Sequence, residues 1–219
     1  MKNVAVVARK GGSGKTTVAV NLAIAAHRRG YAVRLADTDP QGSASESLKV
    51  RKAPGPGVLH MSGGEFFELQ RSEGPVEFDT TIIDTPAASE DAIGHAIAIA
   101  NLSLLIVRPT FLDLAAALQT AQILRRLRKP GLIVLSQAPP PRGGVEPPSV
   151  KRAQEALRLM QLPVAPVVLR ARAAYQTTLA TGQSVEEAGR GDPAGEEIAG
   201  LWTYIERFAF GSRSSTAVA

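Results

Sequence analysis

Close to its N-terminus the chain reads Val4-Ala5-Val6-Val7-Ala8, then Arg9-Lys10-Gly11-Gly12-Ser13-Gly14-Lys15-Thr16-Thr17, then a long apolar pattern of helical period. A β-branched strand, a glycine-rich loop and a helix in direct succession form a phosphate-binding unit. Glycines let the backbone turn tightly, so that N–H groups from Gly11, Gly12, Ser13 and Gly14 onward point at phosphate oxygens. The start of the following helix adds a partial positive charge. In such a loop Lys15 reaches the β- and γ-phosphates, and the Thr16 hydroxyl is placed to ligate Mg2+. The common spelling of the motif, GxxxxGK[ST], requires glycine where this chain has Arg9. In its place a second lysine, Lys10, stands at the loop's entrance.

The remainder of the chain supplies a sheet for such a loop. Short β-branched runs alternate with longer helical patterns, which predicts an α/β fold: a mostly parallel twisted sheet with helices on both faces. Expected strands are Val4–Ala8, Ala32–Asp37, Thr80–Asp84, Leu102–Val107, Leu132–Ser136 and Val164–Leu169. Expected helices are Lys15–Arg29, Glu90–Ala100, Leu112–Leu127, Pro148–Met160 and Ala194–Phe208. Near-continuous apolar strands such as Ser103-Leu104-Leu105-Ile106-Val107 fit a sheet covered on both sides. Ala53–Gly57 and Ala138–Pro148 read as loops rich in Pro and Gly. The reading is one domain over 1–210, with 211–219 a small, polar and disordered tail.

Two strands end in carboxylates, and acids at the C-terminal ends of parallel strands project into the ligand crevice of such folds. One strand closes in Asp37-Thr38-Asp39-Pro40-Gln41-Gly42, a sequence that also favours an Asx-type turn. The other, Thr80-Thr81-Ile82-Ile83-Asp84-Thr85-Pro86, has the apolar run and terminal acid of a Walker B strand, which holds Mg2+ through Asp84. The loop and the three acids together predict a site for ATP and Mg2+.

These segments resemble the ParA/MinD family of ATPases, whose deviant Walker A motif carries the extra lysine and whose second strand ends in DxDPQG. The resemblance covers nearly the whole chain, most closely over 4–43 and 80–86. It implies a P-loop fold in which Lys10 crosses to a second subunit's ATP in a nucleotide-sandwich homodimer. Physically, a cation from a second subunit neutralises phosphoryl charge only when two loaded protomers meet. It also implies that Lys10, Lys15 and Asp39 are catalytic, with Asp39 orienting the attacking water. Lys10, Gly11, Gly12, Ser13, Gly14, Lys15, Thr16 and Thr17 would bind ATP. Thr16, Asp37 and Asp84 would serve the metal, Asp37 in support. The chain has no cysteine, which removes thiol catalysis and the cluster of the related nitrogenase reductase.

Charge is unevenly distributed. Residues 125–172 hold ten basic side chains and two acids, so this segment is +8 within a chain of net +5, and the remainder is −3. Such segregation marks a polyanion-binding surface, although a solvated basic helix face gives the same pattern. With no interleaved aromatics and no helix-turn-helix, the expected partner is non-specific double-stranded DNA. The candidate contacts are Lys151 and Arg152 in the segment. Arg170 and Arg172 match the region where the family carries such arginines. Arg190 is the nearest substitute for a basic residue that the family places where this chain has Pro193. The resemblance further implies a ParB-like or other cargo adaptor that stimulates hydrolysis, segregating plasmid or chromosomal DNA or positioning a protein cargo. The alternative is a small-molecule ligase or kinase on the same scaffold, similar to dethiobiotin synthetase. No apolar run approaches the about 18–20 residues of a membrane span. The residues after the last helix cannot bury an apolar face in lipid. The expectation is therefore a cytoplasmic, nucleoid-associated protein that does not bind membranes.

Overall fold

The computed structural model describes residues 2–72, 77–87, 90–189 and 191–211. Its sheet has six strands: β1 (Lys2–Val7), β2 (Val33–Asp37), β3 (Gly57–His60), β4 (Thr80–Asp84), β5 (Leu102–Val107) and β6 (Gly131–Leu135). They lie in the order β3-β2-β4-β1-β5-β6, and every neighbouring pair is parallel. After β1 the chain winds outward to β2 and β3, then returns to place β4 against β1 before crossing to β5. The C-terminal ends of β1, β4 and β2 therefore open into one crevice at the turning point of the topology, where such sheets bind ligands. Register sharpens this: Val6 lies beside Asp84, and Asp84 beside Asp37.

Alternation along the strands divides the core. Val4, Val6, Leu35, Ile82, Leu104 and Val134 face one side, against α1 (Lys15–Arg28), α2 (Ser43–Lys49) and α8 (Pro193–Ile205). Ala5, Val7, Ala36, Ile83, Leu105 and Ile133 face the other, against α3 (Gly63–Ser72), α4 (Glu90–Ile99), α5 (Phe111–Arg126) and α6 (Pro148–Arg158). Strands buried on both faces account for the unbroken apolar runs of the sequence. The first side is anchored by Trp202 of α8, fully buried and edge-on to Tyr31 with ring centroids 5.6 Å apart.

Several expected elements differ. Val164–Leu169 is not a strand. It follows β6 irregularly: Ala165 N–H donates to the Ile133 carbonyl at 2.8 Å and Leu169 N–H to the Leu135 carbonyl at 2.9 Å. Four residues on one side thus span two on the other. Pro163 and Pro166 lack the N–H groups that a regular ladder needs. The segment 43–72, left without elements by periodicity, contains α2, β3 and α3. β3 is a short, mostly exposed edge strand, so it carries no alternation to read. α3 is announced by a capping box: Ser62 N–H donates to Glu65 Oε2 at 2.8 Å, and Glu65 N–H to Ser62 Oγ at 3.2 Å. A further helix, α7 (Ala173–Leu179), follows the irregular segment. The last helix ends at Ile205 and continues as a π-helical turn, Glu206–Phe210, rather than running unbroken to Phe208. The expected disordered tail lies outside the described residues from 212 onward. No helix among the described residues is long and apolar enough to cross a membrane.

Replacing Trp202 with Ala removes the largest fully buried side chain of the α8 face. The variant is expected to lose about 3–5 kcal/mol of stability, read from urea unfolding by far-UV circular dichroism. A loss below about 1 kcal/mol would mean that α8 is not integral to the core.

Candidate nucleotide site

The loop after β1 folds as its glycines require. Gly12 and Gly14 have φ of 69° and 96°, in the left-handed region. A Cβ at Gly14 would also be crowded, 3.2 Å from Ser136 Oγ. Gly14 caps α1, yet no side chain caps that helix and its first turn holds no acid. The free N–H groups at the start of α1 are thereby left for an anion. Gln137, itself at φ 50°, braces the loop by donating from Nε2 to the Gly12 carbonyl at 2.6 Å. The two lysines have opposite surroundings. Lys15 is 7% exposed, and its Nζ reaches the Lys10 carbonyl at 3.5 Å. Burial pulls its pKa down, opposed by the carboxylates of Asp84 and Asp39. The Lys10 side chain lies exposed at the mouth of the loop. Ser13 is buried, while Thr16 and Thr17 are half-buried on the first turn of α1.

The acids also divide by role. Asp84 is fully buried, and neither carboxylate oxygen has a hydrogen-bond partner of ordinary geometry. Burial pushes its carboxyl up to about 7; Asp37 and Asp39 add to the rise, and the Thr16 hydroxyl and Lys15 oppose it. Asp37 is buried too, but its oxygens accept from backbone: Oδ1 from Asp39 N–H at 3.2 Å, Oδ2 from Ser45 N–H at 2.8 Å. It shapes the turn into α2. Asp39 is half-buried, with its Oδ1 on Gln41 N–H at 2.9 Å, so the Asx turn and an acid beside the loop coexist. Two threonines tie the strand ends together: Thr38 Oγ1 donates to the Asp84 carbonyl at 2.7 Å, and Thr85 Oγ1 to the Val6 carbonyl at 2.8 Å.

This donor set fits Mg2+ carried in with phosphates. Among the described residues no group of three or more His, Cys, Asp or Glu side chains could cage a metal. Mg2+ on a nucleotide needs no such cage, only one or two hard oxygen ligands besides phosphate and water. The orphaned oxygens of Asp84 and the Thr16 hydroxyl are of that kind.

Beside the loop opens a cavity of about 410 Å³, running from Gly14, Thr17 and Val18 past Ser136 and Gln137 to the segment 169–173, Tyr175 and Gln176. It adjoins the phosphate loop and has the size of a small-ligand pocket. Two of the expected DNA contacts lie here. Arg170 and Arg172 line this cavity instead of a free surface, and each is held by a carboxylate: Arg170 by Glu146 at 2.6 Å, Arg172 by Glu197 at 2.7 Å. Partners 24 and 25 residues away consume their charge. Lys151 and Arg152 do stand exposed on α6. Arg190 lies outside the described residues. Sequence reasoning missed Gln137, Glu146, Glu197 and Tyr175, since each acts through a fold contact that no local pattern signals. It also missed Arg108, whose Nε pairs with Asp113 at 2.9 Å near Gly12.

A parallel sheet with a glycine-rich phosphate loop and acid-ended neighbouring strands defines a P-loop nucleotide-binding protein. Residues 4–190 match the model of the CobQ/CobB/MinD/ParA nucleotide binding domain, and the chain belongs to this family. It is 31% identical over 205 residues to Maintenance of carboxysome distribution protein A of Halothiobacillus neapolitanus, covering 89% of this chain and 91% of that protein. To the chromosome-partitioning ATPase Soj of Thermus thermophilus it is 46% identical over 68 residues, 31% of this chain and 26% of that protein. Among solved structures, the septum site-determining protein MinD of Pyrococcus horikoshii with Mg-ADP has a TM-score of 0.77 at 18% identity, covering 95% of this chain and 97% of that one. Apo McdA of Cyanothece has a TM-score of 0.75 at 19% identity, covering 93% and 98%. These two likenesses bear out the expected fold.

The state of Asp84 yields a pH test. A carboxyl raised from 3.8 to about 7 on folding weakens the folded state progressively across that interval, and the full penalty is present above it. Asp84→Asn is therefore expected to stabilise the nucleotide-free protein by on the order of 2–4 kcal/mol at pH 8 and by little at pH 4. Urea unfolding in EDTA at both values reads the difference, and a gain independent of pH would assign it to packing instead.

Proposed function

We propose that this chain is an ATP-hydrolysing switch whose ATP-bound form dimerises, binds duplex DNA without sequence preference and positions a cargo. The observation that carries the reading is the contrast between its two loop lysines: Lys15 is buried against its own site, whereas Lys10 is exposed at the rim. A single protomer uses Lys15 to neutralise the triphosphate. The exposed Lys10 suits a second nucleotide, so that each site is completed by the partner subunit's Lys10. Thr16 and Asp84 would hold Mg2+, which offsets phosphate charge, while Asp37 fixes the turn that carries Asp39. Asp39, half-buried beside the loop, orients the water that attacks the terminal phosphorus. The N–H groups of Gly11 through Thr17 hold the phosphate oxygens. Completing the site only on dimerisation makes hydrolysis slow until an adaptor acts.

The near full-length relative supports a cargo-positioning role, since its name assigns it to carboxysome distribution. The small-molecule ligase reading draws on the CobQ/CobB members of the same family model and on fold likeness, for instance to cobyrinic acid a,c-diamide synthase of Mycobacterium smegmatis at 17% identity. For the DNA face, the exposed cations are the better candidates. With Arg170 and Arg172 paired to carboxylates, the exposed cations of the basic segment are Arg125, Arg126 and Arg128 at the end of α5, Arg142 in the loop before α6, and Lys151, Arg152 and Arg158 on α6. α5 and α6 pack against each other, so their exposed cations lie on neighbouring helices and can be offered to phosphates.

Two measurements test this reading. Lys15→Ala is expected to abolish ATP binding. Lys10→Ala is expected to retain it within about threefold while losing the ATP-dependent dimer and at least about tenfold in hydrolysis. Light scattering and phosphate release read these properties. A Lys10→Ala protein that dimerised and hydrolysed like the unaltered chain would remove the switch. For DNA, the double variant Lys151→Glu/Arg152→Glu is expected to reduce the slope of log affinity against log salt by about 2. An unchanged slope would move the DNA face elsewhere.

A further inference from the structure

We propose that Glu197, on α8 and outside the cavity wall, is the positioning residue that sets the nucleoside-binding segment 169–173. The inference rests on the proposed ATP function and takes the cavity beside the phosphate loop, which starts at Gly14 and Thr17, as the place of the nucleoside. The segment needs an external hold. The stretch that leads into it follows β6 irregularly, because Pro163 and Pro166 break the ladder. The segment's own backbone is tied on one side only: Leu169 N–H donates to the Leu135 carbonyl at 2.9 Å, Ala138 N–H to the Leu169 carbonyl at 3.1 Å and Ala171 N–H to the Ala138 carbonyl at 2.9 Å. The Arg170 N–H turns the opposite way, towards α8.

Glu197 receives it. Its Oε2 accepts from Arg170 N–H at 3.0 Å and from the Tyr175 hydroxyl at 3.0 Å, and its Oε1 accepts from Arg172 Nε at 2.8 Å. Arg172 Nη2 also approaches Oε1, at 2.7 Å. One carboxylate thus holds three residues that line the cavity, while the Glu197 side chain itself is 12% exposed. Charge-assisted bonds from a guanidinium, a backbone amide and a phenol saturate it, and such a buried network fixes one geometry. Burial, and after it the adjacent Glu197 carboxylate, pushes the Tyr175 hydroxyl pKa up, which keeps it a donor. On the other flank Glu146 takes the Arg170 guanidinium in two bonds of 2.6 and 2.8 Å, and the Pro139 carbonyl accepts a third at 3.0 Å. Both arginines are therefore fixed before any ligand arrives. A wall set in advance spares the nucleoside the ordering of two long side chains and an irregular loop.

The consequence is a division of affinity. The phosphate loop stands on β1 and α1, whereas the polar contacts of Glu197 go to Arg170, Arg172 and Tyr175, so loss of the carboxylate should weaken nucleoside binding and spare phosphate binding. Calorimetric titration with Mg-ATP and with Mg-tripolyphosphate, on the unaltered full chain and on Glu197→Ala and Glu197→Gln, separates the two. For Glu197→Ala, ATP affinity is expected to fall about tenfold and tripolyphosphate affinity by less than about twofold. Glu197→Gln keeps an acceptor for the Arg170 amide but loses the ion pair with Arg172, and is expected to fall between. Unchanged ATP affinity, or equal losses for both ligands, would overturn the proposal. Should Glu197→Ala fail to fold, the same ratio in Glu197→Gln decides. An unaltered chain that bound tripolyphosphate as tightly as ATP would refute the underlying reading of the cavity, a result distinguishable from failure of the Glu197 variants alone.

Discussion

Two ionisable groups of opposite sign are buried at the C-terminal edge of this sheet with no hydrogen bond between them. Lys15 has a single long contact to a carbonyl, at 3.5 Å, and Asp84 has no hydrogen-bond partner of ordinary geometry on either oxygen. Buried charges cost several kcal/mol each unless paired. The sheet meets that cost with strands buried on both faces and with threonine ties between β1, β4 and β2. What the arrangement leaves open is specific. An anion at the start of α1 would pair with Lys15, and a hard cation would pair with Asp84. A metal-bound phosphate supplies both at once. The other features of the loop follow from holding this state: glycines at positive φ, a helix start without a cap, and a brace from Gln137 that takes the Gly12 carbonyl out of competition.

Legibility in the sequence tracked the range of the interactions involved. The phosphate loop, Asp37-Thr38-Asp39 and Asp84 were readable because each is a local string whose backbone geometry needs those residue types. The central strands were readable because burial on both faces leaves an unbroken apolar run. β3 was not, since an exposed edge strand of four residues carries no such run. Val164–Leu169 misled for the opposite reason. Its apolar content is that of a strand, but Pro163 and Pro166 deny it the hydrogen bonds. The capping box Ser62–Glu65 was present in the sequence and would have located α3. No pattern could have found Glu197 or Glu146, because their roles depend on which arginines the fold brings beside them.

That dependence also changes the meaning of the basic segment. Read linearly, residues 125–172 are one run of positive charge with a single purpose. Folded, the run separates into two populations. Arg170 and Arg172 are neutralised by carboxylates and become walls of a cavity, whereas the cations of α5 and α6 remain in solvent. Coulomb attraction to a distant polyanion falls with screening and is strongest for charges not already paired. The internal arginines therefore contribute less to any long-range field than the exposed cations of α5 and α6 do. The same two arginines rigidify the cavity wall through Glu146 and Glu197, a task that needs their forked geometry more than their charge. α8 is then more than a covering helix. Through Glu197 it links the wall of the cavity to Trp202 and the packed core, so that the position of α8 and the shape of the cavity are set together.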